Sequence, residues 1–349
     1  MSNKVRCLLT GATGAIGVHI LKYILEKTDW EVVATDSYRP AHKGYFDRLT
    51  ALVPANERLH FIQHDLCAPF TKREIEKIGA IDYIINLAAR SDVQASVDDP
   101  IPFVRDNTEI MLTMLDYARK ISGVYSDGSK APLKAFLHFS TDEVYGPAPK
   151  DSKGHPEWDT ILPSNPYSAS KACQEALAIA WWRTYDIPVI ITNTMNNFGE
   201  TQSPSKFPAM IQNKLEHDEE ITVHASGGEI GTRYYIHSGN TADAVVFILE
   251  NVTPALHSFG QIDMPTRLNI VGDKQVSNLE LVETIARLMG VTPKIKMVDY
   301  HQNNPGHDLH YGLDGTKLTE LGWKSPVSFE DSLKQTIDWT LANPQWNKE

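Results

Sequence analysis

The residues best suited to chemistry lie in FLHFSTDEVYG, Phe136 to Gly146. An apolar run of the kind that forms a buried strand ends in Ser140-Thr141, and then in two adjacent carboxylates, Asp142 and Glu143. Neighbouring carboxylates repel, which raises one pKa and keeps a proton on that group, so the pair can divide the work of acid and base. Taken alone, the pair reads more readily as a solvated cap on the next turn. A second signal is Gly11, Gly14 and Gly17, between a β-type run and an apolar helix. The first glycine permits a tight turn, the second lets backbone approach a pyrophosphate, and the third lets helix and strand pack closely. The helix start offers N–H groups and the positive end of its dipole to phosphate. Asp36, ending the next strand, is placed to accept the ribose hydroxyls of NAD and to repel the additional phosphate of NADP. The third signal is Tyr167-Ser-Ala-Ser-Lys171, a tyrosine and a lysine on one helix face. An ammonium and a cationic nicotinamide together lower the phenol's pKa, so Tyr167 can act as a base near neutral pH, while Lys171 can also bind the nicotinamide ribose. Such pairs are common on surface helices. Here Thr141 precedes the pair in the order this chemistry requires, and the company of Thr141, Tyr167 and Lys171 turns the reading of the carboxylates toward catalysis.

These groups need a frame that gathers strand ends. Residues 5–10, 30–36, 59–65, 81–89, 136–140 and 188–192 read as strands. Helices are expected after Gly17, over residues 107–120 and from near Tyr167. Alternating strands and helices imply an α/β fold, a doubly wound parallel Rossmann sheet. Ligands of such sheets bind at the carboxyl ends of the strands, which lines up Gly11, Asp36, Asp65, Ala88, Thr141 and Asn193 along one rim. After about Asn196 the alternation loosens. Residues 1–196 are therefore expected to form an NAD-binding Rossmann domain, and residues 197–349 mainly a smaller C-terminal substrate lobe, with segments returning to the first.

The bulk properties exclude several classes. The chain has 349 residues, 42% hydrophobic and 22% charged, enough for a large core. A formal net charge of −11 argues against a non-specific nucleic-acid or membrane-surface binder, although an acidic protein can still hold a positive pocket. Cys7, Cys67 and Cys173 lack CxxC spacing, so neither a disulfide framework nor a zinc site is suggested, and no metal is expected. The N-terminal residues do not resemble a signal peptide's apolar region, and no run of about 18 apolar residues is present. A reducing, cytoplasmic setting is expected. Ile110, Met111, Met114, Leu115, Leu177, Trp181 and Trp182 offer more apolar surface than one sheet face needs, which points to a homodimer.

Together, GATGAIG, NLAA, STDEVYG and YSASK resemble an extended short-chain dehydrogenase/reductase of the nucleotide-sugar epimerase and dehydratase family, over nearly the whole chain. Thr141-Asp142-Glu143 is similar to the mark of that family's dTDP-glucose 4,6-dehydratases. The resemblance implies oxidation at C4, elimination of water across C5 and C6, and return of the hydride to C6. It makes Glu143 the base and Asp142 the acid, with Thr141 bonding the C4 oxygen and assisting Tyr167. The cofactor set it implies is Gly11, Gly14, Ala15, Ile16, Gly17, Asp36, Asp65, Leu66 and Ala88, joined by Tyr167 and Lys171. An acid at a strand end such as Asp65 is as often a turn cap. For a nucleotide-sugar substrate the candidates are Arg233 and Asn269 toward the diphosphate, Asn197 toward phosphate or sugar hydroxyls, and His307 and Tyr311 in a polar segment that could close over the nucleotide. The resemblance also pairs the two helices near residues 107–120 and 167–185 into a dimer interface. Departures fall on the substrate side: Asn193 where the family usually has arginine, Glu200 where it has proline, and NLAARSDVQAS for HLAAESHVDRS. A 4-epimerase, a decarboxylase of the same family, and a non-catalytic NAD-binding sensor stand as the alternatives.

Overall fold

The computed structural model describes residues 4–37, 45–122, 133–149, 152–226, 228–258, 260–299 and 308–347. The first half of the chain runs β1 (Arg6–Thr10), α1 (Gly17–Lys27), β2 (Glu31–Asp36), α2 (Tyr45–Leu52), β3 (Leu59–Gln63), α3 (Lys72–Ile78), β4 (Tyr83–Asn86), α4 (Val93–Asp98), α5 (Pro100–Ile121), β5 (Ala135–Thr141), α6 (Pro166–Tyr185) and β6 (Val189–Thr194). The second half runs β7 (Asn196–Phe198), α7 (Phe207–Glu216), β8 (Glu220–Ser226), β9 (Glu229–Ile230), β10 (Thr232–His237), α8 (Ser238–Asn251), β11 (Thr266–Ile270), β12 (Gln275–Ser277), α9 (Asn278–Met289), β13 (Lys294–Asp299), α10 (Thr316–Glu320) and α11 (Phe329–Ala342).

Seven strands form one parallel sheet in the order β11-β6-β5-β4-β1-β2-β3. This is the doubly wound Rossmann order with a seventh strand added beside β6. The strands read as continuous apolar runs because helices cover both faces. Their period-2 alternation divides them: Leu9, Ile85, Leu137 and Ile190 pack on one face with α1 and α8, and Leu8, Ile84, Phe136 and Ile191 on the other with α5 and α6. Two three-stranded sheets, β12-β10-β7 and β13-β8-β9, stand apart. They share a separate core with α7, α9 and α11, built from Ile211, Leu215, Ile221, Val223, Leu281, Ile285, Phe329 and Leu333.

Several local differences from the sequence reading have plain causes. Strand β4 stops at Asn86 because Leu87 and Ala88 turn their N–H groups to the Thr10 hydroxyl, at 3.1 and 3.0 Å. Helix α5 begins at Pro100, ahead of the expected residue 107, because proline is pre-organised for the first helical position. Ile110, Met111, Met114, Leu115 and Trp182 are buried within the chain, facing the sheet, and Leu177 and Trp181 pack against the same cluster. The sheet face absorbs the apolar surplus that suggested a dimer.

The glycine turn is a tight point of the frame. Gly11 has φ +66°, in the left-handed region, and a Cβ there would lie 3.0 Å from the Ala88 backbone. A Cβ on Gly17 would lie 2.2 Å from the Gly11 carbonyl oxygen and 2.9 Å from the Ala12 Cα. Both neighbours are backbone, with no flexible end to move aside. Gly17→Ala is expected to cost about 1–3 kcal/mol through this overpacking, read as a lowered melting temperature together with weaker NAD binding. An unchanged melting temperature would show that the turn can yield.

Candidate active site

The glycine loop runs from the end of β1 into α1. The Gly14 N–H donates to the Gly11 carbonyl at 3.1 Å, and Ala15 and Ile16 lead into the helix. Ile16 stands at the helix N-cap, no side chain caps the helix start, and no acid occupies its first turn. The Val18 and His19 N–H groups donate to the Gly14 and Ile16 carbonyls, but the positive end of the helix dipole meets no side-chain charge of its own, as a phosphate requires. Asp36 braces this loop: Oδ2 accepts from the Thr13 backbone N–H at 3.1 Å and hydroxyl at 2.8 Å, and Oδ1 accepts from the Ser37 N–H at 2.8 Å. A carboxylate has about four acceptor positions, so these bonds leave Oδ1 one position for a ribose hydroxyl, not the two expected. Glycines without room for a Cβ, an uncapped helix start and this carboxylate fit a dinucleotide. Asp65 is exposed and its Oδ1 caps the following turn at the Cys67 N–H, while Leu66 is buried in the core.

At the carboxyl end of β5, every residue of the strand is buried, and the chain turns into one 3₁₀ turn, Asp142–Tyr145, capped by the Thr141 hydroxyl. Thr141 donates from Oγ1 to Asp142 Oδ1 at 3.0 Å, and its hydroxyl lies against the Tyr167 phenol. Asp142 is buried, and its Oδ2 has no hydrogen-bond partner among the described residues. Burial, and next the charge of Glu143, push its carboxyl up to about 7. Glu143 is half-buried and is likewise raised, mainly by burial. Its Oε2 accepts from Asn165 Nδ2 at 3.0 Å. Asn165 is the N-cap of α6, in a reciprocal capping box with Ser168 and with Pro166 at the first helical position. The same cap that starts the helix thus tethers one carboxylate to it.

Helix α6 carries Tyr167 and Lys171. The Tyr167 backbone N–H is anchored by Ser96 Oγ at 3.1 Å, and its phenol is pushed up by burial and by Glu143. The Lys171 ammonium donates to the Phe139 carbonyl and to Gln174 Oε1, both at 2.7 Å. Burial pulls it down to about 7.

The substrate-side candidates separate into two groups. Arg233 and Tyr311 join the carboxylates: the guanidinium stacks 4.4 Å from the Tyr311 ring centroid, and its charge opposes the upward shifts of both acids. Much of its donor capacity goes to the carbonyls of Thr232, Leu309 and Asp308, at 2.8, 2.6 and 2.6 Å. Asn197 and Asn269 are spent elsewhere. Asn197 Nδ2 donates to Thr194 Oγ1 and the Met195 carbonyl. Asn269 is fully buried, and its Nδ2 donates to the carbonyls of His155 and Asp314, both at 3.0 Å. Neither amide keeps an N–H for a phosphate, which corrects the sequence expectation for both. His307 lies outside the described residues.

The family profile described as GDP-mannose 4,6 dehydratase matches residues 8–336. The chain belongs to that family. The probable dTDP-glucose 4,6-dehydratase of Sinorhizobium fredii is 33% identical to it over 351 residues, covering 98% of this chain and 94% of the relative. The dTDP-glucose 4,6-dehydratase of Shigella flexneri is 32% identical over 357 residues, with the same coverages. Among solved structures, the dTDP-glucose 4,6-dehydratase of Streptomyces venezuelae with NAD bound superposes with a TM-score of 0.82 at 28% identity, covering 98% of both chains. The UDP-glucuronic acid 4-epimerase of Bacillus cereus, at 23% identity and a TM-score of 0.81, shares the fold.

Glu200, which follows Asn196-Asn197-Phe198-Gly199, has partners in the structure. It is buried with His19 of α1 and His237 of β10. Glu200 Oε2 accepts from His237 Nε2 at 2.9 Å, and Oε1 accepts from Gln335 Nε2 at 2.8 Å. Burial works to raise Glu200, but the hydrogen bond from His237 holds the carboxyl down to about 2. His237 Nδ1 accepts the Gly239 N–H. A neutral imidazole has one lone-pair nitrogen, so Nε2 carries a proton and the trio is a hydrogen-bonded clasp, not a cation cage. Sequence reasoning missed this clasp and the Asn165 tether. The N-cap signature Asn165-Pro166 was readable, but its bond to Glu143 was not.

The raised Asp142 carboxyl has a measurable consequence. Between its ordinary value of 3.8 and about 7, the folded protein holds a proton that the unfolded chain has lost. Stability therefore falls as pH rises through that window. Asp142→Asn has no such ionisation, and its melting temperature is expected to fall less steeply across the window than that of the unsubstituted protein. Equal slopes would contradict the raised value.

Proposed function

We propose that the protein is an NAD-dependent nucleotide-sugar 4,6-dehydratase, acting on a dTDP- or UDP-hexose and producing the 4-keto-6-deoxy sugar with loss of water. The observation that carries this reading is Asp142 Oδ2: a buried carboxyl oxygen without a partner, on an acid raised to about 7, beside a second carboxylate. A proton on that oxygen has no acceptor among the described residues and is available to a departing hydroxyl.

When bound, NAD would supply a hydride acceptor for C4 and donor for C6, and a positive ring that would favour the Tyr167 phenolate. Tyr167 takes the C4 hydroxyl proton, with Thr141 sharing the C4 oxygen; Lys171, on the same helix face, has its ammonium on the Phe139 carbonyl and Gln174, so the lowering of the phenol's pKa expected from it is not seen. The C4 ketone acidifies the C5 proton, which Glu143 removes. Asp142 protonates the C6 hydroxyl as it leaves as water. Glu143 then returns a proton to C5. Gly11, Gly14 and Gly17 cradle the pyrophosphate at the start of α1, Asp36 takes a ribose hydroxyl, and Arg233 and Tyr311 line the substrate side. A reducing, cytoplasmic setting belongs to the same reading, since Cys7, Cys67 and Cys173 form no disulfide among the described residues. A homodimer through α5 and α6 belongs to the same reading. With the inner apolar residues committed to the sheet, it rests on outward Ile101, Leu112 and Tyr185.

The deciding experiment is incubation with dTDP-, UDP-, GDP- and CDP-hexoses, read by mass. Loss of one water supports the dehydratase. Unchanged mass with altered configuration would make the protein an epimerase, loss of carbon dioxide from a sugar acid a decarboxylase, and no turnover of any substrate a sensor. Glu143→Gln should keep the 340 nm signal of C4 oxidation while elimination falls by roughly 10²–10⁴-fold, as for a lost general base. Tyr167→Phe should abolish both. A Glu143→Gln variant that dehydrates at the unsubstituted rate rules out this assignment. Light scattering at micromolar concentration tests the dimer, and a monomer mass would exclude it.

A further inference from the structure

We infer that Glu175 is a positioning residue that aligns the two halves of the reaction, a proposal that rests on the dehydratase reading above. Tyr167, Lys171 and Glu175 recur every four residues along α6 and so share one face. Glu175 is fully buried and holds both ends of the turn that bears the carboxylates. Its Oε1 accepts from Asn193 Nδ2 at 2.8 Å, and the same amide donates to the Thr141 carbonyl at 3.0 Å. Its Oε2 accepts from Arg267 Nη2 at 2.5 Å, and Arg267 Nη1 donates to the Tyr145 hydroxyl at 2.9 Å. Thr141 precedes the 3₁₀ turn and Tyr145 ends it. One carboxylate, two bonds away from either end, thus fixes Asp142 and Glu143 relative to Tyr167.

The same network accounts for the departure at Asn193. No arginine stands there. The guanidinium that neutralises Glu175 comes from Arg267 on β11, which pairs in register with β6. Arg267 is fully buried, and its guanidinium carbon lies 4.1 Å from the Trp158 ring centroid. Asn269, two residues on, holds the His155 carbonyl, and the His155 ring stacks on Tyr145 with centroids 5.3 Å apart. Strand β11 therefore braces the turn from below at two points.

Proton transfer depends steeply on such placement, whereas a merely structural contact would change only how much protein is folded. Tyr145→Phe removes the tie to Arg267 and touches none of the groups assigned to C4 oxidation. With dTDP-glucose, or whichever of UDP-glucose, GDP-mannose and CDP-glucose the unsubstituted protein turns over, the expected result is C4 oxidation within about twofold and elimination slowed about tenfold, the order of loss that a displaced catalytic group brings. Oxidised, undehydrated sugar should then accumulate in quenched samples, with NAD affinity unchanged. Glu175→Gln should shift the partition further in the same direction, and if it fails to fold, Tyr145→Phe decides alone. Variants that dehydrate with an unshifted ratio of oxidised to dehydrated sugar overturn the proposal while leaving the dehydratase reading intact. An unsubstituted protein that dehydrates none of the four sugars overturns both.

Discussion

The site depends on keeping two like charges close together out of water. Asp142 and Glu143 follow a strand whose every residue is buried, so neither can relax into solvent as a pair on a surface turn would. The repulsion and lost hydration fall most heavily on Asp142, the deeper of the two, and it answers by holding a proton. Compensation is supplied at the edges: Thr141 donates to one carboxylate and Asn165 to the other, while the Arg233 charge moderates both. The result is one neutral acid and one carboxylate, asymmetric by environment although adjacent in sequence.

Helix α6 is the member that turns this into an arrangement rather than a pair. Its cap bonds Glu143, and its buried face presents in succession a phenol, an ammonium and a carboxylate. The helix start is specified locally, by Asn165, Pro166 and Ser168, and its register against β5 is held by the Lys171 bond to the Phe139 carbonyl. The low-polarity surroundings strengthen each of these interactions and make each costly to break.

Much of this was legible in the sequence where the signal is local. Periodicity gave the parallel sheet, glycine spacing the turn into α1, and the four-residue step the pairing of Tyr167 with Lys171. Long-range side-chain bonds were not legible. Asn197 and Asn269 looked like phosphate donors because amides donate, but whether a donor is free depends on carbonyls 114 residues away in the case of His155 and Asn269. Arg267 carried no signal at all, since an isolated arginine in a strand normally lies at an edge in water. The inward packing of the apolar residues of α5 and α6 was not legible for a related reason: composition records how much surface is oily, and only packing records which way it faces.

The position of β11 has a consequence for how the chain is made. The seventh strand, Thr266–Ile270, hydrogen-bonds to β6, Val189–Thr194, so more than seventy residues are synthesised between the two partners. During that interval the nascent sheet ends in β6, an apolar parallel edge with unpaired backbone groups of the kind that recruits foreign strands. The guanidinium that neutralises Glu175 also arrives only with β11. An emerging chain halted before residue 266 would carry an uncompensated carboxylate inside its core and an open edge beside it, which makes the stretch of translation between β6 and β11 the interval in which the sheet is most exposed to wrong pairing.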